Sequence, residues 1–263
     1  MEYPIRPLSS YDDFKACEQL QSEVFGYQDI EIIPYQLLQS FTHAGGIVLG
    51  AFDHDSLIGT AIGYTGLSED GNAYHRSQRL AVLSRYRGQG VGENLKRAQA
   101  KVAQQHGLKV MCWTYDPLRS VNAYLNIHKL GALSNRYIEQ MYTVSSSPFD
   151  AGVSIDRLWV EWRLDGPVVN RSLNLEQAIS TGKAKTVLSN QEDRPSQLIL
   201  EDNRPIVVIQ IPANIETVRE NSLDRLIAWR SATRQAFTYY FAHKYQVHDY
   251  LIGAGYVLIR MDD

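Results

Sequence analysis

The sequence predicts an α/β (α+β) fold built on a mixed sheet, and three observations carry that reading. Strand-like and helix-like segments alternate without forming βαβ repeats alone. The stretch GGIVLGAFDHDSLIGTAIGYTG reads as two apolar strands around a tight turn. A glycine-rich entrance, SRYRGQGVGENLKRAQAKVAQQHG, follows a strand and opens a strongly amphipathic helix.

Taken in order, YPIRPL is a short strand. Ser9 or Ser10, with Asp12 and Asp13 behind it, starts a helix over YDDFKACEQLQSEVFG that Gly26 ends. A second helix runs from Pro34 to Thr42, and the apolar hairpin turns at Asp53 to Ser56. AYHRSQRLAVLSRY is a strand, the glycine entrance leads a helix to about His106, and LKVMCWTY is a buried strand. SVNAYLNIHKLGA is helical and closes at Gly131; RYIEQMYTV and, beyond a Ser-rich loop, RLWVEWRL alternate as strands.

Composition shifts after Leu164. Asp165 to Pro195 is polar with one weak helix and reads as a linker or wrapping arm. SQLILED and PIVVIQIP follow as strands, then one long helix from about Ile215 to Tyr245, then the strand GYVLIR. The expected organisation is a domain over 1–164 and a C-terminal extension over 165–263 packed on it. Its strands are too apolar to stay in water.

A chain of 263 residues, 44% hydrophobic and 21% charged, is long enough for such a core. The net charge of −3 provides no global basic field, which disfavours nucleic acid as a partner. No run of about eighteen apolar residues suggests a membrane span, and the start of the chain carries no basic-then-apolar leader. The two cysteines, Cys17 and Cys112, lie far apart with no CxxC or Cys/His cluster. A soluble, cytoplasmic protein with reduced thiols, no metal and no membrane is the expectation.

The glycine entrance carries the chemistry. Glycine lets the backbone approach a ligand closely, so successive N–H groups can point at one anion. The helix start adds unpaired N–H groups and the positive end of its dipole. A pyrophosphate suits this arrangement. Gly88, Gly90 and Gly92 are spaced two and two, which excludes the dinucleotide pattern GxGxxG, and no GK[ST] follows to make a P-loop.

Arg87, Gly90 and Gly92 match the R/Q-x-x-G-x-G/A pattern, and the preceding Leu80-Ala81-Val82 and the later KLGA-ended helix agree in order. On these residues the segment from Tyr3 to about Val144 resembles the Gcn5-related N-acetyltransferases, the GNAT superfamily. The resemblance implies a mixed, mostly antiparallel twisted sheet flanked by helices. It also implies that acetyl-CoA or another acyl-CoA lies in the V between two diverging parallel strands. Leu80, Ala81 and Val82 would pair with the pantetheine arm, while Arg87, Gly88, Gln89, Gly90, Val91 and Gly92 cradle the pyrophosphate. Arg85, Lys96, Arg97 and Lys101 either face the remaining phosphates or form a solvated face.

WTYDPLRSVNAYLNIHKLGA, DRLWVEWRL and the tail stretch IAWRSATRQAF look like one GNAT subfamily of about this length with a C-terminal extension. Its members are thought to acylate small amines, amino acids receiving succinyl groups among them. The implied function is transfer of an acetyl or other short acyl group to a small-molecule amine by direct attack. An amino-acid N-succinyltransferase-like enzyme is one alternative, and a non-catalytic acyl-CoA-binding or regulatory protein is the other.

The sequence departs from the family at the general acid. Many members carry Asn-x-x-Ala-x-x-x-Tyr, with the tyrosine four residues before the glycine; here Ser120, Ala123 and Ile127 occupy those places. Tyr124, one turn earlier, either substitutes as the acid or is a core aromatic. Asn122 and Asn126 are four apart on one helical face and can hydrogen-bond coenzyme A or substrate. A backbone N–H near Leu80 to Val82 can polarise the thioester carbonyl.

An ammonium acceptor must lose a proton first, and His75 is the candidate base, with an unperturbed imidazole pKa of about 6.5. Strict alternation puts it opposite Leu80, on the outer face, unless a bulge intervenes. Water is the other route for that proton. Trp113 and Asp116 stand either at the open end of the sheet beside the acyl site or, for Asp116, at a helix start. Arg157 either pairs with a substrate carboxylate or forms a surface pair with Asp156. The tail face of Trp229, Arg230 and Arg234 is expected to serve packing or a subunit contact, the latter making a homodimer.

Overall fold

The computed structural model describes residues 3–26, 31–142, 155–166 and 173–261. These divide into two compact units, the first from 3–113 with 163–166, the second from 114–142, 155–162 and 173–261.

In the first unit, β1 (Ile5–Pro7), β2 (Ile47–Asp53), β3 (Ser56–Leu67), β4 (Ala73–Val82) and β5 (Val110–Tyr115, shared with the second unit) lie side by side in chain order. Every neighbouring pair but one is antiparallel; β4 and β5 run parallel. Helices α1 (Tyr11–Phe25) and α2 (Tyr35–His43) bury Phe14, Cys17 and Leu38 with Val48, Phe52 and Ile62. Helix α3 (Val91–Gln105) buries Leu95 and Ala103 in the cluster that holds Ile47, Leu49, Ala51 and Ile58. Successive residues of β2 thus enter opposite clusters, which is why the strand reads as one apolar run although side chains alternate.

Local signals explain the element ends. Ser10 caps α1 through a capping box with Asp13, and Gly26 closes it in the left-handed conformation at φ 61°. The Arg6 guanidinium grips both oxygens of the Asp13 carboxylate and holds its pKa well below the usual carboxylate range.

In the second unit, α4 (Ser120–Ala123) continues as a π-helical turn over Tyr124–Lys129 before β6 (Leu133–Tyr142) and β7 (Ile155–Arg163). The wider turn shows as the bond from the Leu130 N–H to the Leu125 carbonyl, five residues back. Then follow α5 (Leu175–Ser180), β8 (Ala184–Gln191), β9 (Arg194–Ser196), β10 (Ile206–Ile209), α6 (Ile215–Asn221), α7 (Leu223–Ala242), β11 (Tyr245–Leu251) and β12 (Gly255–Arg260). The strand order is β7-β6-β11-β12-β10-β8-β9, antiparallel except for the β10–β8 pair. Among the described residues both sheets are therefore mostly antiparallel and flanked by helices, as the sequence led one to expect.

Four expectations are corrected. The boundary at 164/165 does not separate the units, because β6 packs against β11 and α7 and the π-helical turn packs against β11. The segment read as a linker contributes α5 and β8, with Val187 and Leu188 fully buried. Its polar residues misled because Lys185, Thr186, Ser189 and Asn190 are half-buried in β8 beside the buried Ala184, Val187 and Leu188. SQLILED is no strand beyond Ser196. The long tail helix is two: Ser222 is extended at φ −166° and its hydroxyl accepts the Arg225 N–H, so it caps α7 and ends α6. Tyr245 already belongs to β11. The Ser-rich loop before β7 lies outside the described residues.

Candidate active site

In the first unit the geometry centres on the end of β4. Strand β3 follows β4 to its last residue, pairing Thr60 with Ala81 and Gly59 with Val82. Strand β5 pairs with β4 only at His75↔Met111 and Arg76↔Cys112. Beyond Arg76, the β4 edge that faces β5 has no ladder among the described residues. Leu80, Ala81 and Val82 lie on that stretch, where an extended ligand arm can add its own hydrogen bonds. The Val82 carbonyl accepts the Arg87 Nε–H at 3.1 Å.

After a 3₁₀ turn at Ser84–Tyr86, Arg87 to Gly90 are exposed. Gly88 and Gly90 sit at φ 74° and 82°, in the left-handed region, and a Cβ at either would meet nothing within 4 Å. Gly90 is the N-cap of α3 and no side chain caps the helix, so its first-turn N–H groups have no acceptor inside the helix. The Gln89 side chain braces the loop, donating to the Arg85 carbonyl at 2.9 Å and accepting from the Tyr3 hydroxyl at 3.1 Å. Val91 is buried and Gly92 half-buried at the helix start. An open, left-handed, uncapped helix entrance fits a pyrophosphate.

The basic residues nearby divide. Arg85 is exposed, Arg97 forms an exposed pair with Glu93 at 2.9 Å, and Lys101 is exposed. Lys96 is buried instead, correcting both readings offered for it. Its ammonium donates to the Ser77 hydroxyl at 2.8 Å and lies 3.4 Å from the centre of the Trp113 ring. Burial drives its pKa well below the ordinary lysine value. Trp113 is accordingly a buried cation–π partner, 4% exposed, and not a side chain at an open sheet end.

His75 is also buried. A bulge at Gln78 interrupts the β3–β4 register between Ile62↔Arg79 and Gly63↔Ser77, so alternation is broken as its alternative reading allowed. Both ring nitrogens are buried without a hydrogen-bond partner, and the ring stands over Gly63. Burial, with the Lys96 charge and His106 behind it, pushes its pKa down to about 3. The near-neutral proton affinity expected of a base is gone.

In the second unit Tyr124 is half-buried, stacked on His128 with ring centres 5.0 Å apart. His128 Nδ1 in turn lies 2.9 Å from Asp249 Oδ1. Tyr124 lines a cavity and is not a core aromatic; Ile127, at the usual tyrosine place, is fully buried. Asn122 is half-buried and Asn126 buried, and the π-helical turn begins between them.

Asp116 belongs to the framework of this unit. Its carboxylate takes both prongs of the buried Arg230 guanidinium and the Leu118 N–H at 2.9 Å. Burial alone would raise its pKa, but Arg230, with Arg157 and Arg119 beyond, holds it at about 2. Asp156 does not serve Arg157 in a surface pair: it is fully buried and bound to Arg234 Nε and a terminal nitrogen at 3.0 and 2.9 Å, and to the Tyr137 hydroxyl at 2.8 Å. Trp229 is fully buried and its indole N–H reaches the Asp193 carbonyl at 3.0 Å. The face of Trp229, Arg230 and Arg234 is therefore used for packing inside the unit.

Asn190, Gln210 and Tyr250, which line the same cavity as Tyr124, are absent from the sequence-based set. Asn190 falls in the stretch read as a linker, although KTVLS carried a strand signal. Tyr250 precedes the turn IGAG, a hairpin signal between QVHDYL and YVLIR.

Among the described residues no group of three His, Cys, Asp or Glu side chains is placed to hold a metal, and no helix is long and apolar enough to cross a membrane. The family model described as acetyltransferase (GNAT) family matches residues 12–128. No curated protein matches the chain. Among solved structures, the putative acetyltransferase yncA from Salmonella typhimurium, with its cofactor acetyl-CoA, is similar at 18% identity and a TM-score of 0.51, over 66% of this chain and 100% of that one. NAA60 from Arabidopsis thaliana, in complex with a bisubstrate analogue, is similar at 16% identity and a TM-score of 0.52, over 62% of this chain and 99% of that one. A GNAT-family acetyltransferase from Streptococcus pneumoniae is similar at 18% identity and 0.50, over 62% and 99%. At these identities the likeness is one of fold.

Proposed function

We propose that this chain, which belongs through residues 12–128 to the acetyltransferase (GNAT) family, moves an acetyl or other short acyl group from coenzyme A to the amine of a small molecule by direct attack. The observation that carries the reading is the uncapped start of α3 behind two left-handed, open glycines. Similar folds bind acetyl-CoA, and the loop supplies the backbone donors that a pyrophosphate needs.

The roles of the chain's own residues follow. Arg87 to Gly92 hold the pyrophosphate through backbone N–H groups. The β4 edge at Leu80 to Val82 holds the extended arm, and an N–H there polarises the thioester carbonyl as negative charge grows on its oxygen. Tyr124, fixed by His128 and Asp249, donates its hydroxyl proton to the departing thiolate. The amine loses its proton to water, because His75 is buried and held neutral. Asn122 and Asn126 hydrogen-bond coenzyme A.

Calorimetry on two variants tests the loop. Gly90→Ala adds only a methyl in open space with the strain of a left-handed residue, roughly 1 kcal/mol, and weakens coenzyme A modestly. Gly90→Glu adds the same strain and a negative charge where the pyrophosphate lies, and weakens it by at least about 100-fold. Equal affinity of folded Gly90→Glu and wild type rejects the loop. Incubation with acetyl-CoA or succinyl-CoA and a pool of amines, read by mass spectrometry, separates the enzyme from a non-catalytic binder and acetyl from succinyl transfer.

A further inference from the structure

Two observations in the second unit fall on the same spot. Among the described residues, the large hydrophobic side chains most exposed to water are Val121, at 79%, and Ile252, at 74%. One belongs to the start of α4 and the other to the turn between β11 and β12. Both line a single cavity of about 470 Å³, whose lining residues all belong to this unit. Aliphatic side chains exposed singly need no explanation, but two gathered from distant segments at the rim of one concavity mark a surface that gains by being covered.

The backbone is shaped to make this cavity. Gly255 stands at φ 105°, and a Cβ there would collide with the Ile209 carbonyl, so only glycine lets the β11–β12 turn close against the end of β10. Ile211 and Ala254 extend the apolar wall, and Tyr124 and Tyr250 add aromatic rings. The polar groups of the wall are largely engaged already. The Ser120 hydroxyl donates to the Ala213 carbonyl and bonds with Tyr250, and Gln210 Oε1 accepts the Asn190 backbone N–H at 2.8 Å. Among the described residues no Asp, Glu, Lys, Arg or His side chain lines the cavity, so a charge entering it would lose water without gaining a counter-charge. Its volume lies inside the range of about 300–1,000 Å³ typical of small-molecule sites. Since a cavity of about 150 Å³ holds a benzene, this one takes a molecule of roughly two or three rings or a chain of about eight to twelve carbons.

We propose that this cavity is a binding site for an uncharged, mainly apolar small molecule, whose surface Val121 and Ile252 cover at the mouth. The site uses no residue of the first unit and no step of acyl transfer. Tyr124 is shared with the proton-donating role proposed above, so the test contains no acyl donor, and neither reading falls with the other.

N-phenylnaphthylamine, an uncharged aromatic whose fluorescence rises on leaving water, is the probe, titrated into the full chain. It should fill one saturable site. Octanol and octanoate share a chain and differ in charge; octanol should displace the probe at concentrations at least about 100-fold below those that octanoate needs. Val121→Ser and Ile252→Ser change positions that face water, so the fold is spared, and circular dichroism checks it. Each should weaken the probe about 10-fold, through the apolar surface that the ligand no longer covers. Leu67→Ser removes a comparably exposed side chain of the first unit, at 69%, and should leave probe binding unchanged. No saturable binding, octanoate that competes as well as octanol, or an affinity that Val121→Ser and Ile252→Ser lower no more than Leu67→Ser does overturns the site.

Discussion

Replacing Arg230 by methionine leaves Asp116 as a buried carboxylate with one remaining donor, the Leu118 N–H. Both partners are less than one-tenth exposed, so water cannot compensate. Breaking such a pair costs about 3–5 kcal/mol, because an uncompensated charge stays buried. The depressed pKa of Asp116 gives an independent scale: holding it at about 2 against 3.8 for the free side chain corresponds to roughly 2 kcal/mol net of desolvation. Arg230→Met should therefore destabilise the second unit by about 3 kcal/mol in urea, followed by tryptophan fluorescence. Adding Asp116→Leu removes the orphaned charge and should recover most of the loss. The pH dependence is directional. The folded pKa lies below the unfolded one, so the stabilisation is complete above about 3.8 and is lost as pH falls toward 2. The deficit of Arg230→Met relative to wild type should shrink over that window. A loss below about 1 kcal/mol, or a double variant no better than the single, refutes the structural assignment. An Asp116→Asn protein of unchanged stability and raised acceptor KM would return Asp116 to the substrate.

Three further outcomes are expected. The His75 imidazole has a folded pKa of about 3 against 6.5 unfolded, so wild type should lose stability as pH falls below about 6.5, and His75→Gln should lack that slope; their kcat/KM profiles between about pH 6 and 9 should have the same shape. Lys96 is reluctant to hold its proton when folded, so wild-type stability should rise with pH toward the unfolded lysine value of 10.5, a slope that Lys96→Met removes in denaturant titrations at several pH values. Tyr124→Phe should lower kcat by about 100-fold or more, the usual worth of a general acid, with coenzyme A affinity by calorimetry unchanged; an unaltered kcat assigns the thiolate's proton to water.

The glycine entrance was legible in the sequence because its information is local. Left-handed glycines, a strand before them and an amphipathic helix behind them depend on near neighbours, and the same holds for the Ser10 capping box and the Asp53–Ser56 turn. Burial and partner choice are not local. Nothing in the spacing of α3 shows that Lys96 turns under Trp113 while Arg97 and Lys101 face water, since adjacent helix positions differ by about 100°. Nothing near Asp116 reveals Arg230, 114 residues away, and the bulge that buries His75 arises from the pairing of β4 with β3. Strand β8 escaped notice because its polar side chains outweigh Val187 and Leu188 until a second strand covers them. The sequence by itself determined the fold class and the glycine-rich entrance to α3, both set by period and backbone freedom. Tertiary structure alone decided which titratable groups are buried and which residues close the cavity beside Tyr124, because desolvation and pairing depend on segments that only folding brings together.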